Sequence, residues 1–563
     1  ATAVERLVES GAARGAGGGR RELLVLAALS LLWWLPVLWI GVRGEFPLYD
    51  DWAYARSVQT WLETGSFARP AFIVAPTVSN ALIGLFFTKL FGFSFAVLRV
   101  SNLVMGWLAL GATYALARSL KARVEAAALA AACLAVCPLF FHLSYTFMTD
   151  IAFTAFTTAG LLVAARIFVH PSPLALAALG GLSVAAVLSR NAGLALPISA
   201  VGAFLLLNWR RRGVWIVALA CVLTSFAFYW FSPLLFAPED SGTRVPILRY
   251  VMNALRNPGL LFNVLRNGAS SLLLLGLFAA PLWLAGGFRD LGRGGRTVAA
   301  ATAGLGAFGL WRLGLQPPFG LDQIRDFGLG ALTQHGAESL PHAPVALWYL
   351  IAVAGFACAA SSLWRIAAFA KTWHWRSPEA RAALPAWLFV CCYLAPLGIH
   401  WPFFDRWLIP AVPVLLALLA ASTPVLAPGP PRLLAPAALC LLLLFSAVGT
   451  RDQLDLKRAQ ANLTAEVEAM GVAPDHLDGG SAYNAWHHYR SVHNHHSRSP
   501  RSGHRWVHDD EVVISFASKL AGYAPIASRT VRMRLPPAEV TIRAFLRRSS
   551  PLQRTSAKRP GSF

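Results

Sequence analysis

LLVLAALSLLWWLPVLWIGV, residues Leu23–Val42, runs for twenty residues without a charge. At about 1.5 Å per residue, such a helix crosses the roughly 30 Å hydrocarbon core of a bilayer once. Arg14, Arg20 and Arg21 precede it, as basic residues precede a secretory signal. The apolar stretch is longer than a signal core, however, and no small-x-small cleavage site follows, so it reads as a retained first span. The remainder has the same character, with 56% hydrophobic and only 13% charged residues. A soluble domain carries about a quarter charged residues, so lipid is the solvent for most of this chain.

Outward from that run, further crossings are expected at 95–117, 125–147, 150–168, 172–189, 193–208, 214–232, 269–287, 298–315, 345–366, 383–399, 407–423 and 433–449, thirteen in all. Residues 78–91 are apolar but short, and predict an interfacial or re-entrant helix. With residues 1–22 in the cytoplasm, the cytoplasmic links carry Arg118, Lys121 and Arg123; Arg210, Arg211 and Arg212; Arg289, Arg293 and Arg296; Lys371, Arg376 and Arg381; and Arg432. That bias follows the positive-inside rule and supports the register of crossings. Residues 23–449 thus form a transmembrane module whose first outer loop spans 43–77, and 450–563 form a separate outer domain. The fold class is an all-α polytopic membrane protein with a small extracytoplasmic α/β C-terminal domain, in which 451–470 is helical and 510–516 and 531–545 supply strands.

The net charge of +22 is spread over these links and along the chain, which points to anionic lipid headgroups and argues against nucleic acid. All seven cysteines lie in apolar segments with no Cys-x-x-Cys array, which argues against disulfides and a thiolate metal site. Seven of the fourteen histidines fall between His487 and His508 among Ser, Pro and Arg, a polar loop expected to bind metal only adventitiously.

Chemistry is expected where acids meet the outer face. Asp50 and Asp51 follow the first span in Tyr49-Asp50-Asp51-Trp52-Ala53-Tyr54, and Asp150 sits where two apolar segments join. A carboxylate there can take a proton from an acceptor hydroxyl, or Asp50 and Asp150 can hold a divalent cation. Simple helix capping is the plainer alternative for Asp50 and Asp51. Adjacent helical residues point about 100° apart, so the pair is expected to divide its work. Asp50–Glu63 reads as a short helix with Trp52, Ala55, Val58 and Leu62 along a side that lies on the membrane surface. Arg190-Asn191 and Asp405-Arg406 are cationic candidates at the same face, where an arginine pairs with an acid or a substrate phosphate. Arg244 and Arg249 belong to a basic outer loop that suits an anionic ligand.

These residues carry a family resemblance. Asp50-Asp51-Trp52-Ala53-Tyr54-Ala55, Thr60-Trp61-Leu62-Glu63-Thr64-Gly65, Leu90-Phe91-Gly92-Phe93-Ser94, Leu98-Arg99 and Leu408-Ile409-Pro410-Ala411-Val412-Pro413 resemble, in order, the lipid-carrier-dependent glycosyltransferases of the membrane GT-C fold. Aminoarabinose transferases and protein mannosyltransferases belong to that family. The resemblance implies transfer of a sugar from polyprenyl phosphate at the outer face of a bacterial plasma (inner) membrane, by inverting displacement. Asp50 matches the family's first-loop catalytic aspartate, with Tyr54 at the expected offset and Arg56 beyond it. Asp51 replaces the usual glutamate, Asp150 corresponds to a second acid, and Arg190 stands where many relatives have lysine. Arg406 and Asn191 complete the expected substrate contacts. The resemblance implies no nucleotide cofactor and a lipid, polysaccharide or protein acceptor; a monomer is expected, and the C-terminal domain is expected, from its place outside, to help position that acceptor. A transporter or flippase of a lipid-linked sugar is the alternative from another class, although the two matching halves expected of one are not visible.

Overall fold

Glycine or proline marks several helix ends, among them Gly65, Gly92, Pro138, Pro173 and Pro378, and apolar runs fill the helices between. The computed structural model describes residues 3–550 except 71–72, 74, 209–224, 227–251, 253–255, 287–290, 313, 315–321, 326–327, 333, 338–339, 341–343, 372–376, 401–402, 424–430, 493–505 and 508. Helix α1 (Ala3–Ile40) contains the opening run up to Ile40. The short helices α2 (Asp51–Thr64) and α3 (Val78–Phe91) precede α4 (Phe95–Ser119), α5 (Val124–Ala135), α6 (Pro138–Ser144), α7 (Thr149–Ile167), α8 (Pro173–Ser189) and α9 (Ala195–Asn208). After these come α10 (Leu260–Gly286), α11 (Gly292–Arg312), α12 (Val345–Lys371), α13 (Pro378–Ile399), a 3-10 helix Asp405–Ala411, α14 (Val412–Ala421) and α15 (Pro431–Ala469). Large apolar side chains such as Leu38, Phe86, Leu174, Leu305, Leu350 and Leu441 are exposed along them, as on surfaces meant for lipid.

The chain is a mostly helical, polytopic membrane protein. Among the described residues, seven helices are long and apolar enough to cross a membrane, or eight if one bent pair counts as a span. The expected crossing at 125–147 is that bent pair, α5 and α6, angled by 60°. Pro138 explains the break, because it lacks an N–H and forces Cys137 into extended backbone (ψ 119°). The expected crossing at 407–423 likewise resolves into a 3-10 helix and the ten-residue α14, with Pro410 and Pro413 at the junction. The crossings expected at 172–189 and 193–208 are shorter apolar helices, and most of 214–232 lies outside the described residues.

Helix α3 has the expected bounds. It exposes Leu82, Phe86, Leu90 and Phe91 and turns Ala81, Gly84 and Leu85 inward. A Cβ on Gly84 would lie 2.6 Å from the Phe147 ring and 2.8 Å from Val58, so only glycine permits this packing. Helix α2 ends at Gly65, whose φ of 72° closes a left-handed cap. Its apolar side is not laid on a membrane surface but buried by protein. Ala55 and Val58 pack on Phe95, Leu98 and Phe147, while Trp52 and Ala53 pack on Ile73 and Tyr489.

The C-terminal domain carries a mixed four-stranded sheet. Strands β1 (Leu477–Asp478), β2 (Val512–Ser515), β3 (Tyr523–Arg534) and β4 (Pro537–Arg547) lie in the order β1-β2-β4-β3, with β1 parallel to β2 and the other pairs antiparallel. Helix α16 (Ser481–Val492) leans on α2. The helix expected at 451–470 does not stand alone. It continues the last span as the 39-residue α15, which runs unbroken through Thr450. Leu456, Leu463 and Val467 of α15 bury the sheet face formed by Val512, Ile514, Val531, Met533, Val540 and Ile542.

Candidate active site

The approach to α2 is fixed by buried polar side chains. Arg99, fully buried, donates to the carbonyls of Val42 (3.0 Å), Gly44 (2.8 Å) and Phe46 (2.6 Å). Tyr49 then turns the chain with φ 56°, and its hydroxyl meets His142 Nε2 at 2.7 Å. His142 Nδ1 in turn lies 3.2 Å from the Thr450 hydroxyl, tying the loop to α6 and α15. This delivers Asp50 to the N-terminus of α2.

The two adjacent acids now separate. Asp50 occupies the N-cap position but makes no side-chain cap, so capping does not account for it. Asp51 is fully buried and accepts from the Leu48 N–H at 2.6 Å and the Phe147 N–H at 3.2 Å. Burial pushes its carboxyl up to about 7, against the pull of Arg99 and the two donors.

The second acid is positioned by the turn before α7. Asn102 donates to the Thr146 and Met148 carbonyls (2.8 and 2.9 Å), and Asn80 to that of Phe147 (3.3 Å). Asp150 follows in the first turn of α7, buried, with Oδ1 held by Arg190 Nη1. Its other oxygen, Oδ2, is buried with no hydrogen-bond partner among the described residues. Arg190 reaches it from the extended C-cap of α8. Asn191 opens the 3-10 turn that follows, where Gly193 is required because a Cβ would meet the Ala186 backbone at 2.3 Å.

A third contribution comes from the start of the 3-10 helix. Arg406 Nη2 lies 3.3 Å from Asp50 Oδ2, and its Nε lies 3.2 Å from Asp322 Oδ2. Asp405, fully buried, accepts from the Gln323 N–H (3.1 Å) and the Ile324 N–H (2.8 Å) and so holds the segment bearing Asp322. Asp322 has φ 143°, a backbone region that is essentially glycine's. Burial raises the carboxyls of both Asp322 and Asp405, the first opposed by Arg406 and the second reinforced by Asp322. In sequence Asp322 appears only as a loop acid, and it is the site residue that sequence reasoning missed. The one signal was that Asp405 adjoins a site arginine.

Tyr54 lies one helical turn beyond Asp50 on α2. Burial, followed by the charge of Asp50, pushes its hydroxyl up to about 12, with Arg190 and Arg406 opposing. At neutral pH it is therefore a phenol that can donate. Arg56 belongs elsewhere: its guanidinium lies 4.2 Å over the Trp486 ring and donates to the Trp486 carbonyl and, at 3.2 Å, to Gln59. Arg244 and Arg249 lie outside the described residues. Asp50 and Asp150 are each engaged by an arginine rather than gathered as metal ligands. Among the described residues, the ligand group close enough to share an ion is His476, Asp509 and Glu511, in the C-terminal domain.

The arrangement sets a partly exposed carboxylate, a phenol, and two arginines paired to acids at one end of an apolar bundle. Such a group can take a proton from a hydroxyl while binding an anion nearby.

The profile of the family described as "Dolichyl-phosphate-mannose-protein mannosyltransferase" matches residues 75–235, under a third of the chain. That region includes Asp150 and Arg190 but neither Asp50 nor Arg406. Solved structures similar to the chain include two of one protein. ArnT from Cupriavidus metallidurans bound to undecaprenyl phosphate is 14% identical, covering 81% of each chain at a TM-score of 0.34. The same protein in its apo state is 16% identical, covering 82% of each chain at a TM-score of 0.34. No curated protein matches the chain significantly.

Proposed function

We propose that the chain is a GT-C-type glycosyltransferase that moves a sugar from a polyprenyl-phosphate donor to an acceptor hydroxyl. The observation that carries this reading is the convergence of Asp50, Tyr54, Asp150, Arg190 and Arg406 from four separate chain segments. The partial family match over α3–α9 supports it.

In this reading, Asp50 accepts the proton of the acceptor hydroxyl. The hydroxyl oxygen bonds to the anomeric carbon from the face opposite the leaving group, and the bond from that carbon to the phosphate oxygen breaks. Polyprenyl phosphate departs with its added charge offset by Arg190 and Arg406. Asp150 and Asp322 hold these two arginines in place, and Asp51 fixes the turn that presents Asp50. A divalent cation at Asp50 and Asp150 would compete with guanidinium groups already there.

The topology belongs to the same proposal. Residues 1–22 are cytoplasmic, 23–449 form a thirteen-crossing module, and the first loop 43–77 and residues 450–563 face outward from a bacterial plasma membrane. The acceptor is a lipid, a polysaccharide or a protein, engaged by a monomer.

The test is reconstitution in liposomes with a polyprenyl-phosphate sugar, following release of polyprenyl phosphate. Release that depends on acceptor supports the reading. Translocation of the intact donor without release, across a panel of donors and acceptors, would replace it with a flippase.

A further inference from the structure

A second cluster of ligating side chains lies in the C-terminal domain, away from the transfer chemistry. His476 ends the turn just before β1, and Asp509 and Glu511 immediately precede β2. Because Leu477 pairs with Val512 in the parallel ladder, His476 and Glu511 are neighbours across the two strands. The Asp509 N–H donates to the Asp475 carbonyl at 3.1 Å and closes the same junction.

The geometry of the three side chains is specific. His476 Nδ1 lies 3.4 Å from Asp509 Oδ2 and 3.3 Å from Glu511 Oε2. Ligands of a tetrahedral zinc ion with bonds of about 2.0–2.1 Å stand roughly 3.3 Å apart. Each carboxylate also has its other oxygen held from outside the cluster. Asp509 Oδ1 accepts from Arg547 Nη2 at 2.7 Å, and Glu511 Oε1 accepts from the Ser550 hydroxyl. Outer donors of this kind orient ligating carboxylates toward an ion. Charge points the same way, because Arg547 serves Asp510 as well as Asp509, so two acids share one guanidinium beside a third acid, Glu511. The imidazole is half exposed, which leaves an open side for water.

We propose that His476, Asp509 and Glu511 form a binding site for a transition-metal dication of the zinc type. One imidazole nitrogen with two carboxylate oxygens suits Zn2+ better than Mg2+ or Ca2+, which favour all-oxygen sites. The ion would fasten together the two ends of the excursion from Leu477 to Glu511. That excursion carries α16, whose Trp486 stacks with Arg56 of α2. The role is structural, and independent of the transfer reaction.

The loop histidines of residues 493–504 would bind metal on their own account, so the test uses the full-length protein in detergent with His493, His495, His496 and His504 replaced by Asn. Zn2+ titration of that variant is expected to show one site per chain and a raised melting temperature. His476→Gln and Glu511→Gln are expected to abolish both. Ser550→Ala is expected to bind roughly tenfold to hundredfold more weakly. Visible absorption of bound Co2+ gives an independent readout of the coordination and should vanish in His476→Gln. Zinc binding lost with the loop histidines, or unchanged by His476→Gln, overturns the proposal. So does a melting temperature that responds to pH but not to Zn2+, since the three groups would then be an ion pair with protonated His476.

Discussion

Arg406 bonds Asp50 at 3.3 Å across 356 residues of sequence. The first loop and the start of a late 3-10 helix therefore meet in one ion pair, and the same guanidinium is held from behind by Asp322. Asp50 keeps about a third of its side chain exposed in this pair, whereas Asp51 keeps none.

Asp50→Asn is expected to lower sugar transfer by about 10²–10⁴, the usual worth of a general base. Stability should change by less than about 1 kcal/mol, because a partly exposed ion pair contributes little. Polyprenyl-phosphate release and a melting curve on the same sample check both. Full transfer by the variant would remove Asp50 from the base role.

Two substitutions at Asp322 should differ in a telling order. Both Asp322→Ala and Asp322→Gly lose the pair with Arg406, but glycine accepts φ 143° without strain. Asp322→Gly is therefore expected to be the more stable by about 1 kcal/mol or more. Denaturation in detergent measures it, and an alanine variant at least as stable as the glycine one would show that the backbone is relaxed there.

Removing the partner of a buried acid should be costly. Arg190→Gln strands the Asp150 carboxylate and is expected to destabilise by about 3–5 kcal/mol. Asp150→Asn combined with Arg190→Gln should recover much of that loss, with a coupling above about 1 kcal/mol in a double-mutant cycle. Additive effects would mean the pair is not formed.

The buried carboxyl of Asp51 makes a pH prediction. Its folded value, near 7, lies above the unfolded value of 3.8, so the native state binds the extra proton between these limits. Stability from this group is complete below about pH 4 and is lost as pH rises toward 7. Asp51→Asn should flatten the unfolding free energy across that window by about one proton. An unchanged slope would indicate an Asp51 that is already ionised in the folded protein.

The parts of this structure legible in the sequence are those governed by local punctuation. Helix α3 was readable because Gly92 stops its apolar run, and Asp150 and Arg190 because each interrupts an apolar stretch. The angle between α5 and α6 was also written locally, in Cys137-Pro138, but it was hidden by the hydropathy of the whole segment. Helical phase explains another difference. Tyr54 follows Asp50 by four residues, about 40° around the helix, and joins the cluster, whereas Arg56 follows by six and points about 240° away, toward Trp486. Asp322 had no such local signal. Its place depends on Asp405 gripping the Gln323 and Ile324 N–H groups from about eighty residues away, a tertiary contact that no periodicity encodes.

Helix α15 has a mechanical meaning. Its 39 residues make a rod of about 58 Å, one end among the spans and the other forming the back of the β-sheet. A domain built on such a rod has no wrist at the point where it leaves the apolar bundle. Any tilt imposed on the sheet by a bound partner must become a tilt of a transmembrane segment, and Thr450, bonded to His142 behind Tyr49, sits at the fulcrum.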